Sequence, residues 1–450
     1  MNVDELLKST AERCAKYVRG IGERRVFPEA AAIEALSKLG GELPAEGESA
    51  QAVLALLDEI GSPATVATTG GRYFGFVNGA TLPAALAANW LAGAWDQNAG
   101  LRIETPVGAH VEEVCESWLR RIFDLPAGTG VGFVTGATMA NFTGLLAARH
   151  HVLEQAGWDA ERNGLFGAPA ITVVAGTEVH ASVLRALSML GLGRDRLVRV
   201  GTDGQGRMNP HEFPKVTGPA IVCIQAGNVN TGACDPASEI CDAAHDAAAW
   251  VHVDGAFGLW AAADPERSHL VHGFNKADSW ATDCHKWLNV PYDCGLVFVR
   301  HPQVLETALQ FSAAYLASDT RREPMRFTPE MSRRARGVEV WAALRSLGRR
   351  GLAEMIQRTC AHARTFATRL QAAGYEVLND VVLNQVLVSF GSDEKTRRVI
   401  AAVQNEGTCW CGGTVWHGRA AMRISVSSWA TTADDVEKSL AAILRIAAQT

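Results

Sequence analysis

Two short stretches carry the side chains best suited to chemistry. In Cys284-His285-Lys286-Trp287, a lysine lies among apolar and aromatic neighbours, which help to keep its amine neutral and able to form an imine with an aldehyde. In Val251–Ala256, Asp254 ends a hydrophobic run, where an acid can hold a ring nitrogen protonated. Such a pair is the electron sink of pyridoxal phosphate chemistry, although Lys286 alone is also compatible with an ordinary surface lysine.

The composition is that of a globular chain without the features of a nucleic-acid or membrane protein. The 450 residues are 48% hydrophobic, enough for a substantial core. The formal net charge is -6, and no dense Lys/Arg run offers a surface to a polyanion. No apolar run reaches the roughly eighteen residues of a membrane span, and the first residues lack the pattern of a signal peptide. We therefore expect a cytoplasmic protein that binds neither nucleic acid nor membrane.

The cysteines give no sign of a metal site. There are ten, scattered along the chain, and the closest pair, Cys409 and Cys411, has neither a second pair nor nearby histidines to complete a zinc site. We expect free thiols in a reducing compartment and no bound metal.

Periodicity divides the chain into three parts. Residues 1–55 have apolar positions at helical spacing and predict an N-terminal helical arm of the kind that packs on a partner subunit. Residues 56–310 alternate β-branched runs with Ala/Leu-rich stretches, which predicts a large α/β domain with a mostly parallel sheet covered on both faces. Residues 311–450 predict a smaller C-terminal α+β domain. The predicted strands of the large domain are Gly132–Val134, Ile171–Val174, Leu197–Val200, Ala220–Ile224, Trp250–Val253 and Gly295–Val299.

Polar residues follow several of these strands, and ligands bind at the carboxyl ends of strands in open parallel sheets. Thr135–Asn141 contains small residues that let backbone N–H groups approach a phosphate, before a helix whose N-terminus favours an anion; a capped helix start would look the same. His180 could lie flat on a conjugated ring or simply begin a helix. Gln225–Gly232 offers amide and hydroxyl groups to a phenolic or phosphate oxygen, or forms an ordinary turn.

The whole set resembles the group II pyridoxal phosphate-dependent amino acid decarboxylases, members of the aspartate aminotransferase fold type I. The likeness extends from about Arg72 to the C-terminus. The family's Asp-Ala-Ala is matched by Asp254-Gly255-Ala256, its His-Lys-Trp-Leu by His285–Leu288, and its following Asp-Cys by Asp293-Cys294. Thr105–Pro126 is similar to the family's Thr-Pro segment with a Glu-rich helix ending in Leu-Pro. The resemblance implies a mostly parallel seven-stranded sheet and a smaller C-terminal domain.

The resemblance also implies a role for each matched residue. Lys286 would bind the aldehyde of pyridoxal 5'-phosphate as an imine, Asp254 would pair with the ring nitrogen, and His180 would stack on the ring. Further cofactor contacts would come from Gly136, Ala137, Thr138, Asn228, Ala256 and His285. Tyr315, in a loop contributed across the dimer, would be the fourth catalytic residue and protonate the α-carbon after carbon dioxide leaves. A tyrosine there could also simply pack at the domain joint.

Substrate contacts are expected from Phe74, Trp95 and Arg423. The aromatic residues lie in stretches similar to those that shape the substrate pocket in the family, which favours an aromatic or otherwise apolar amino acid, although core packing explains them equally well. Arg423 could reach a carboxylate or close an ion pair within the small domain. The sequence departs from the family pattern at Gly227–Val229, where Gly-Thr-Thr is usual. This departure leaves the substrate open.

We therefore expect a homodimeric decarboxylase, with the active site at the subunit interface, that converts an L-amino acid to its amine and carbon dioxide. The protein decides the outcome by holding one bond perpendicular to the cofactor ring. Decarboxylases place the α-carboxylate there, whereas transaminases clamp it in plane with arginine. An aminotransferase, an aldehyde-forming oxidative deaminase and a carbon–carbon lyase remain alternatives. A noncatalytic scaffold protein is a hypothesis of a different class.

Overall fold

The computed structural model describes residues 2–310 and 321–450. The chain divides into two compact units, each built from separate stretches of sequence. The first comprises Met1–Ala80, Arg364–Leu378 and Val386–Thr450, and the second comprises Thr81–Ala363 and Asn379–Gln385. These divisions do not coincide with the boundaries near residues 55 and 310 that the periodicity predicts, because an early strand pairs with a strand close to the C-terminus.

The strands of the described residues form two sheets. They are β1 (Tyr73–Phe74), β2 (Gly130–Val134), β3 (Thr172–Gly176), β4 (Val198–Val200), β5 (Ala220–Gln225), β6 (Trp250–Asp254), β7 (Ser279–Asp283), β8 (Gly295–Val299), β9 (Glu376–Val377), β10 (Gln385–Ser389), β11 (Trp410–Trp416) and β12 (Arg419–Ser425). The larger sheet has the order β2-β8-β7-β6-β5-β3-β4. Strand β8 runs antiparallel to β2 and β7, and the other pairs are parallel. The prediction of a mostly parallel seven-stranded sheet is confirmed.

Helices connect and cover these strands. They are α1 (Val3–Gly20), α2 (Ala30–Ala35), α3 (Ala50–Leu56), α4 (Ser62–Ala64), α5 (Pro83–Trp95), α6 (Pro106–Ile122), α7 (Ala137–Gln155), α8 (Ala160–Asn163), α9 (Ala181–Met189), α10 (Ala237–Asp246), α11 (Pro302–Ala308), α12 (Gly337–Ala372), α13 (Asp393–Glu406) and α14 (Ala433–Gln449). Helix α12 is interrupted at Gly348, where φ is 62° and the backbone leaves the helical region. Within residues 2–310 and 321–450, no helix is long and apolar enough to cross a membrane.

Helix α7 packs against the larger sheet through small residues and brings its N-terminus to the sheet edge. A β-carbon at Gly144 would lie 2.6 Å from the His252 ring on β6, so a glycine is needed for this close approach. Strands buried on both faces favour apolar, largely β-branched residues. The core between α7, α9 and the sheet includes Val134, Leu145, Leu187, Ile221 and Val297.

The outer edge of the larger sheet is formed by β2, whose carbonyl groups are covered by two arginines. Arg322 donates to the carbonyl oxygen of Val131, and Arg333 donates to that of Phe133 at 3.1 Å. Both guanidinium groups pair with Glu112 of α6, at 3.1 Å and 2.7 Å respectively. The Arg-rich stretch Arg321–Arg336, to which both belong, therefore completes the hydrogen bonding of an edge strand.

The first unit contains a smaller sheet with the order β1-β11-β12-β10-β9. Tyr73 of β1 lies opposite Trp410 in a parallel pairing, while β11 and β12 form an antiparallel pair. Helix α13 packs on β11 and β12, and α14 packs on α13. The predicted smaller C-terminal α+β domain is thus present as a sheet covered by helices.

Candidate active site

The ends of two neighbouring strands bring the predicted amine and acid to the same edge of the larger sheet. Asp254 ends β6 and lies opposite Ala281 in the parallel pairing with β7. Strand β7 ends at Asp283, whose backbone N–H donates to the carbonyl oxygen of Ala256 at 2.9 Å. Lys286 follows three residues later. Because parallel strands end at one edge, the side chains of Asp254 and Lys286 both start from the carboxyl end of the sheet.

Lys286 is not an ordinary surface lysine. Its side chain is 15% exposed, and Nζ lies 3.1 Å from Oδ2 of Asp283. The loop that carries it is closed by Cys284 and Cys294, whose backbone N–H and carbonyl groups form a 3.0 Å hydrogen bond. The amine is therefore held at the end of β7 by an ion pair and by the geometry of this loop.

Asp283 is a site residue that the sequence reasoning missed. Its side chain is 3% exposed, and its Oδ1 accepts a 2.6 Å hydrogen bond from the backbone N–H of Ala137, the first residue of α7. The same carboxylate contacts Lys286 through Oδ2. Its position three residues before the lysine does not by itself identify it, because the strand that it ends is not predicted from the sequence.

The N-terminus of α7 has the close backbone approach that a phosphate site requires. Gly136 is extended, with φ 161° and ψ -179°, and a β-carbon there would lie 3.0 Å from Cε1 of His285. Ala137 and Thr138 open the first turn of the helix, whose N–H groups favour an anion. The predicted phosphate residues therefore stand beside the loop of Lys286.

His285 is a neutral imidazole at this edge. Its Nδ1 accepts a 3.2 Å hydrogen bond from the backbone N–H of Cys294, and its ring stacks on Tyr292 with centroids 4.3 Å apart. Burial lowers the pKa of His285, against the opposing effect of Asp283. The ring is thus positioned as a hydrogen-bonding group and adds no charge at neutral pH.

His180 is the N-cap residue of α9 and is linked to Asp254 through Ser182. Nδ1 of His180 lies 3.2 Å from the backbone nitrogen of Ser182 and 2.8 Å from its Oγ. Oγ also donates to Oδ2 of Asp254 at 3.3 Å. The predicted ring-stacking residue and the predicted ring-nitrogen partner are therefore joined by one serine, a second residue that the sequence reasoning missed.

Two further predicted cofactor residues serve local structure. Asn228 is buried, and its Oδ1 accepts backbone hydrogen bonds from Asn230 at 2.9 Å and Thr231 at 3.3 Å, which is the turn geometry left open by the sequence. The backbone N–H of Ala256 donates to Oδ1 of Asp254 at 3.2 Å and orients that carboxylate. Their contacts with a cofactor remain predictions.

The predicted substrate residues lie on several elements. Phe74 is buried in the first unit, where its ring meets that of Phe366 edge to face at 5.1 Å. Arg423 lies in β12 of the same unit, and burial lowers its pKa. Trp95 ends α5 in the second unit and is 43% exposed. Tyr315 lies outside the described residues. Roles for these four residues remain predictions.

The groups at the sheet edge fit pyridoxal phosphate. An amine, a buried carboxylate, an imidazole and the N-terminus of a nineteen-residue helix correspond to the aldehyde, the ring nitrogen, the ring face and the phosphate of that cofactor. Within residues 2–310 and 321–450, no group of His, Cys, Asp and Glu side chains is arranged to hold a metal ion.

Comparison with known proteins gives the same chemistry. A family model described as the pyridoxal-dependent decarboxylase conserved domain matches residues 36–391. Tryptophan decarboxylase 1 of Oryza sativa subsp. japonica is 27% identical over 398 residues, which cover 79% of this chain and 76% of that protein. L-2,4-diaminobutyrate decarboxylase of Rhizobium meliloti (strain 1021) is 30% identical over 380 residues, covering 80% and 74%.

The fold is shared with solved structures. The crystal structure of Oryza sativa TDC with PLP and tryptamine matches with a TM-score of 0.92 at 22% identity, covering 100% of this chain and 99% of that chain. Mouse CSAD matches with a TM-score of 0.91 at 21% identity, covering 99% and 98%. The predicted fold type I is confirmed. Because the family model spans most of the sequence and the residues at the sheet edge fit its cofactor, the chain belongs to the pyridoxal-dependent decarboxylase family, enzymes that use pyridoxal phosphate to decarboxylate amino acids.

Proposed function

We propose that this enzyme removes the α-carboxylate of an L-amino acid with an aromatic side chain, giving the amine and carbon dioxide. The observation that carries the proposal is the arrangement at the end of β6 and β7, where Asp254 and Lys286 leave one edge of the sheet beside the start of α7. The bound cofactor supplies a protonated ring that accepts the electron pair released at the α-carbon.

Each residue of this edge then has a task. Lys286 would hold the aldehyde of the cofactor through its amine. Asp254 would keep the ring nitrogen protonated, and its carboxylate is oriented by donors from Ala256 and Ser182. His180 would pack on the ring and restrict the access of a proton. The backbone N–H groups at the start of α7 would bind the phosphate and so position the cofactor.

The aromatic substrate class rests on two observations. The stretch Arg72–Val77 resembles the segment that shapes the substrate pocket in the family, and it is aromatic: the rings of Tyr73 and Phe76 both stack on Trp410, with centroids 5.1 Å and 5.4 Å away. A relative that is 27% identical decarboxylates tryptophan, according to its name. The relative named for diaminobutyrate makes a basic amino acid the competing substrate class.

We also propose that the enzyme is a cytoplasmic homodimer. The N-terminal helices expose an unusual number of large apolar side chains, and no residue of α1, α2 or α3 is buried. The exposed apolar side chains of residues 2–57 include Val3, Leu7, Val18, Ile33, Leu43, Val53 and Leu57. Exposed apolar surface of this extent marks an interaction site, and a second copy of the chain would cover it. Sedimentation analysis of the full chain tests this, because a monomer at micromolar concentration would contradict it.

One experiment tests the reaction and a second tests the cofactor. The reaction is tested by measuring carbon dioxide, amine, keto acid and aldehyde from a panel of L-amino acids, including tryptophan, tyrosine, diaminobutyrate and glutamate. Equal amounts of amine and carbon dioxide from an aromatic member are expected. Keto acid without carbon dioxide would make the enzyme an aminotransferase, and activity confined to diaminobutyrate would remove the aromatic class.

The cofactor is tested by borohydride reduction and peptide mapping. Reduction should fix pyridoxal phosphate on the peptide that contains Lys286, and Lys286→Ala should abolish this label. Lys276→Ala is the matched control, since that exposed lysine pairs with Asp242 and precedes the start of β7, whereas Lys286 follows its end. A label that survives Lys286→Ala would assign the cofactor to another amine.

A further inference from the structure

Six buried side chains form a line along strand β6 that ends at Asp254, at the carboxyl end of the larger sheet. Strand β6 alternates large polar or aromatic side chains with valine, so Trp250, His252 and Asp254 point to one face, towards α7. Three residues from other elements fill the gaps between them: Ser279 of β7, Asn141 of α7 and Ser182 of α9. All six are less than one-tenth exposed.

Each neighbouring pair in this line is hydrogen bonded. The distances, from the far end towards the edge, are Trp250 Nε1 to Ser279 Oγ 2.9 Å, Ser279 Oγ to His252 Nδ1 2.8 Å, His252 Nε2 to Asn141 Oδ1 2.9 Å, Asn141 Nδ2 to Ser182 Oγ 3.0 Å, and Ser182 Oγ to Asp254 Oδ2 3.3 Å. The line begins at a group that can only donate, the indole N–H, and ends at a carboxylate that can only accept.

These two ends set the direction of the hydrogen bonds between them. Burial lowers the pKa of His252 to about 4, so the ring is neutral at physiological pH and carries one proton. If that proton is on Nε2, it donates to Asn141, and Nδ1 accepts from Ser279. Every donor then points towards Asp254.

The opposite direction leaves a contact unsatisfied. With the proton of His252 on Nδ1, the amide of Asn141 would have to turn its nitrogen towards the ring and its oxygen towards Ser182. The hydroxyl of Ser182 would then donate to Asn141, and Asp254 would face a lone pair of that hydroxyl. Only the first direction satisfies each of the five contacts. Oγ of Ser182 has a further contact, 2.8 Å to Nδ1 of His180, and its single proton is directed to Asp254 when that nitrogen is the donor.

We propose that Ser182, Asn141 and His252 are positioning residues whose aligned hydrogen bonds hold the carboxylate of Asp254 directed at the ring nitrogen of the cofactor. They act through Asp254, so the inference rests on its proposed role as partner of that nitrogen. Aligned hydrogen bonds in a buried site strengthen one another, and the residues behind a ligating group commonly tune it. Gly144 is required by the same hydrogen bonds, because a side chain at this position would occupy the space of the His252 ring.

The test compares two cofactors that differ only at the ring nitrogen: pyridoxal phosphate, and an analogue in which a carbon atom replaces that nitrogen. Equilibrium dialysis of the full-length enzyme gives a dissociation constant for each, and their ratio measures the preference for the nitrogen. Ser182→Ala removes the last donor to a charged group, so this preference should fall about tenfold. Ser279→Ala cuts the line further away, and a fall of about two- to threefold is expected.

Matched variants separate positioning from packing. Ser188→Ala removes a hydroxyl from the same helix that bonds only locally to Leu184, and the ratio should stay at the wild-type value. Ser182→Thr keeps the hydroxyl and should restore most of the preference. Asp254→Asn, in the same assay, sets the value for an enzyme without the carboxylate.

The outcomes are distinct. If Ser182→Ala weakens both cofactors equally while Asp254→Asn abolishes the preference, the proposed role of Asp254 stands and the positioning line is overturned. If Asp254→Asn also leaves the preference intact, Asp254 is not the partner of the ring nitrogen, and both proposals fail together.

Discussion

Asp283 holds the amine of Lys286 with one carboxylate oxygen, at 3.1 Å, and uses the other to accept the first backbone N–H of α7. The acid thus contacts two groups that the cofactor requires: the amine expected to bind its aldehyde and an amide expected to bind its phosphate. If the phosphate binds at the start of α7 as proposed, its negative charge would lie near this carboxylate. Asp283 would then oppose phosphate binding electrostatically, in addition to holding the loop through Lys286.

Asp283→Asn is expected to tighten the binding of pyridoxal phosphate by about three- to tenfold, because one negative charge near the phosphate is removed while an oxygen remains for Ala137. Binding of pyridoxal, which lacks the phosphate, should change little. Dissociation constants of both compounds, measured by the change in visible absorbance, check this. Asp242→Asn, at an exposed acid paired with Lys276, is the control. Equal changes for the two compounds would place the effect in the loop and not at the phosphate.

His252 makes folding depend on pH. In the unfolded chain its pKa is near the ordinary value of about 6.5, whereas burial lowers the pKa to about 4 in the folded chain. The unfolded chain therefore binds more protons between these values, and the stabilising contribution, complete above about pH 6.5, is lost as the pH falls towards 4. The difference amounts to about 3 kcal/mol.

Comparison with His252→Gln isolates this effect. The free energy of unfolding of the wild type, minus that of the variant, should be about 3 kcal/mol larger at pH 7 than at pH 4. Burial raises the pKa of Asp235 to about 6, which acts in the opposite sense by stabilising the fold at low pH, but this contribution is common to both proteins and cancels. Urea unfolding at the two pH values provides the measurement. If the difference in free energy of unfolding between the two proteins were the same at pH 7 and pH 4, His252 would have its ordinary pKa in the folded protein.

Removing one partner of the buried ion pair between Glu112 and Arg333 is expected to destabilise the fold strongly. Both side chains are 1% exposed, and their closest atoms are 2.7 Å apart. Glu112→Gln leaves a buried guanidinium group without its counter-charge and should lower the free energy of unfolding by about 3 to 5 kcal/mol. Glu354→Gln breaks an exposed pair with Arg350 and should have little effect. A similar small loss for both variants in chemical denaturation would show that water reaches the buried pair.

Tyr315→Phe is expected to slow amine formation by about a hundredfold or more, since a general acid typically contributes that much to a proton-transfer step. The label fixed by borohydride on Lys286 should be unchanged, because the phenol is not needed to bind the cofactor. Tyr375→Phe is the control; that ring packs edge to face on Phe390 in the first unit. A normal rate of amine release from the Tyr315 variant would remove this residue from the proton-donor role.

Much of the fold follows from local pattern. The six predicted strands of the larger sheet are present because β-branched runs such as Ile221–Ile224 have no other way to bury both faces. Strand β7 escaped prediction: Ser279–Asp283 contains no β-branched hydrophobic residue, and its burial comes from neighbours on either side. The Arg-rich stretch was assigned to the smaller domain, yet Arg322 and Arg333 belong to the second unit, since ion pairing with α6 depends on chain packing.

Only some of the candidate site residues could be identified from the sequence. Lys286 and Asp254 could be singled out from residue type and from their positions after hydrophobic runs. Asp283 and Ser182 could not, because their importance lies in the atoms they meet: the amide of Ala137 for the first, and Asp254 for the second. A sequence shows which side chains end the strands, but not which helix supplies their partners.

Arg322 and Arg333, which cover the carbonyl groups of β2, also affect whether other chains can pair with this strand. A foreign strand extending the larger sheet at this margin would need the carbonyl oxygens of Val131 and Phe133, and both already accept from guanidinium groups locked to Glu112. Such pairing would require displacing both guanidinium groups at once, that of Arg333 being buried and that of Arg322 partly buried. Strand β2 is therefore not available for intermolecular β-pairing, which protects this apolar edge strand against aggregation.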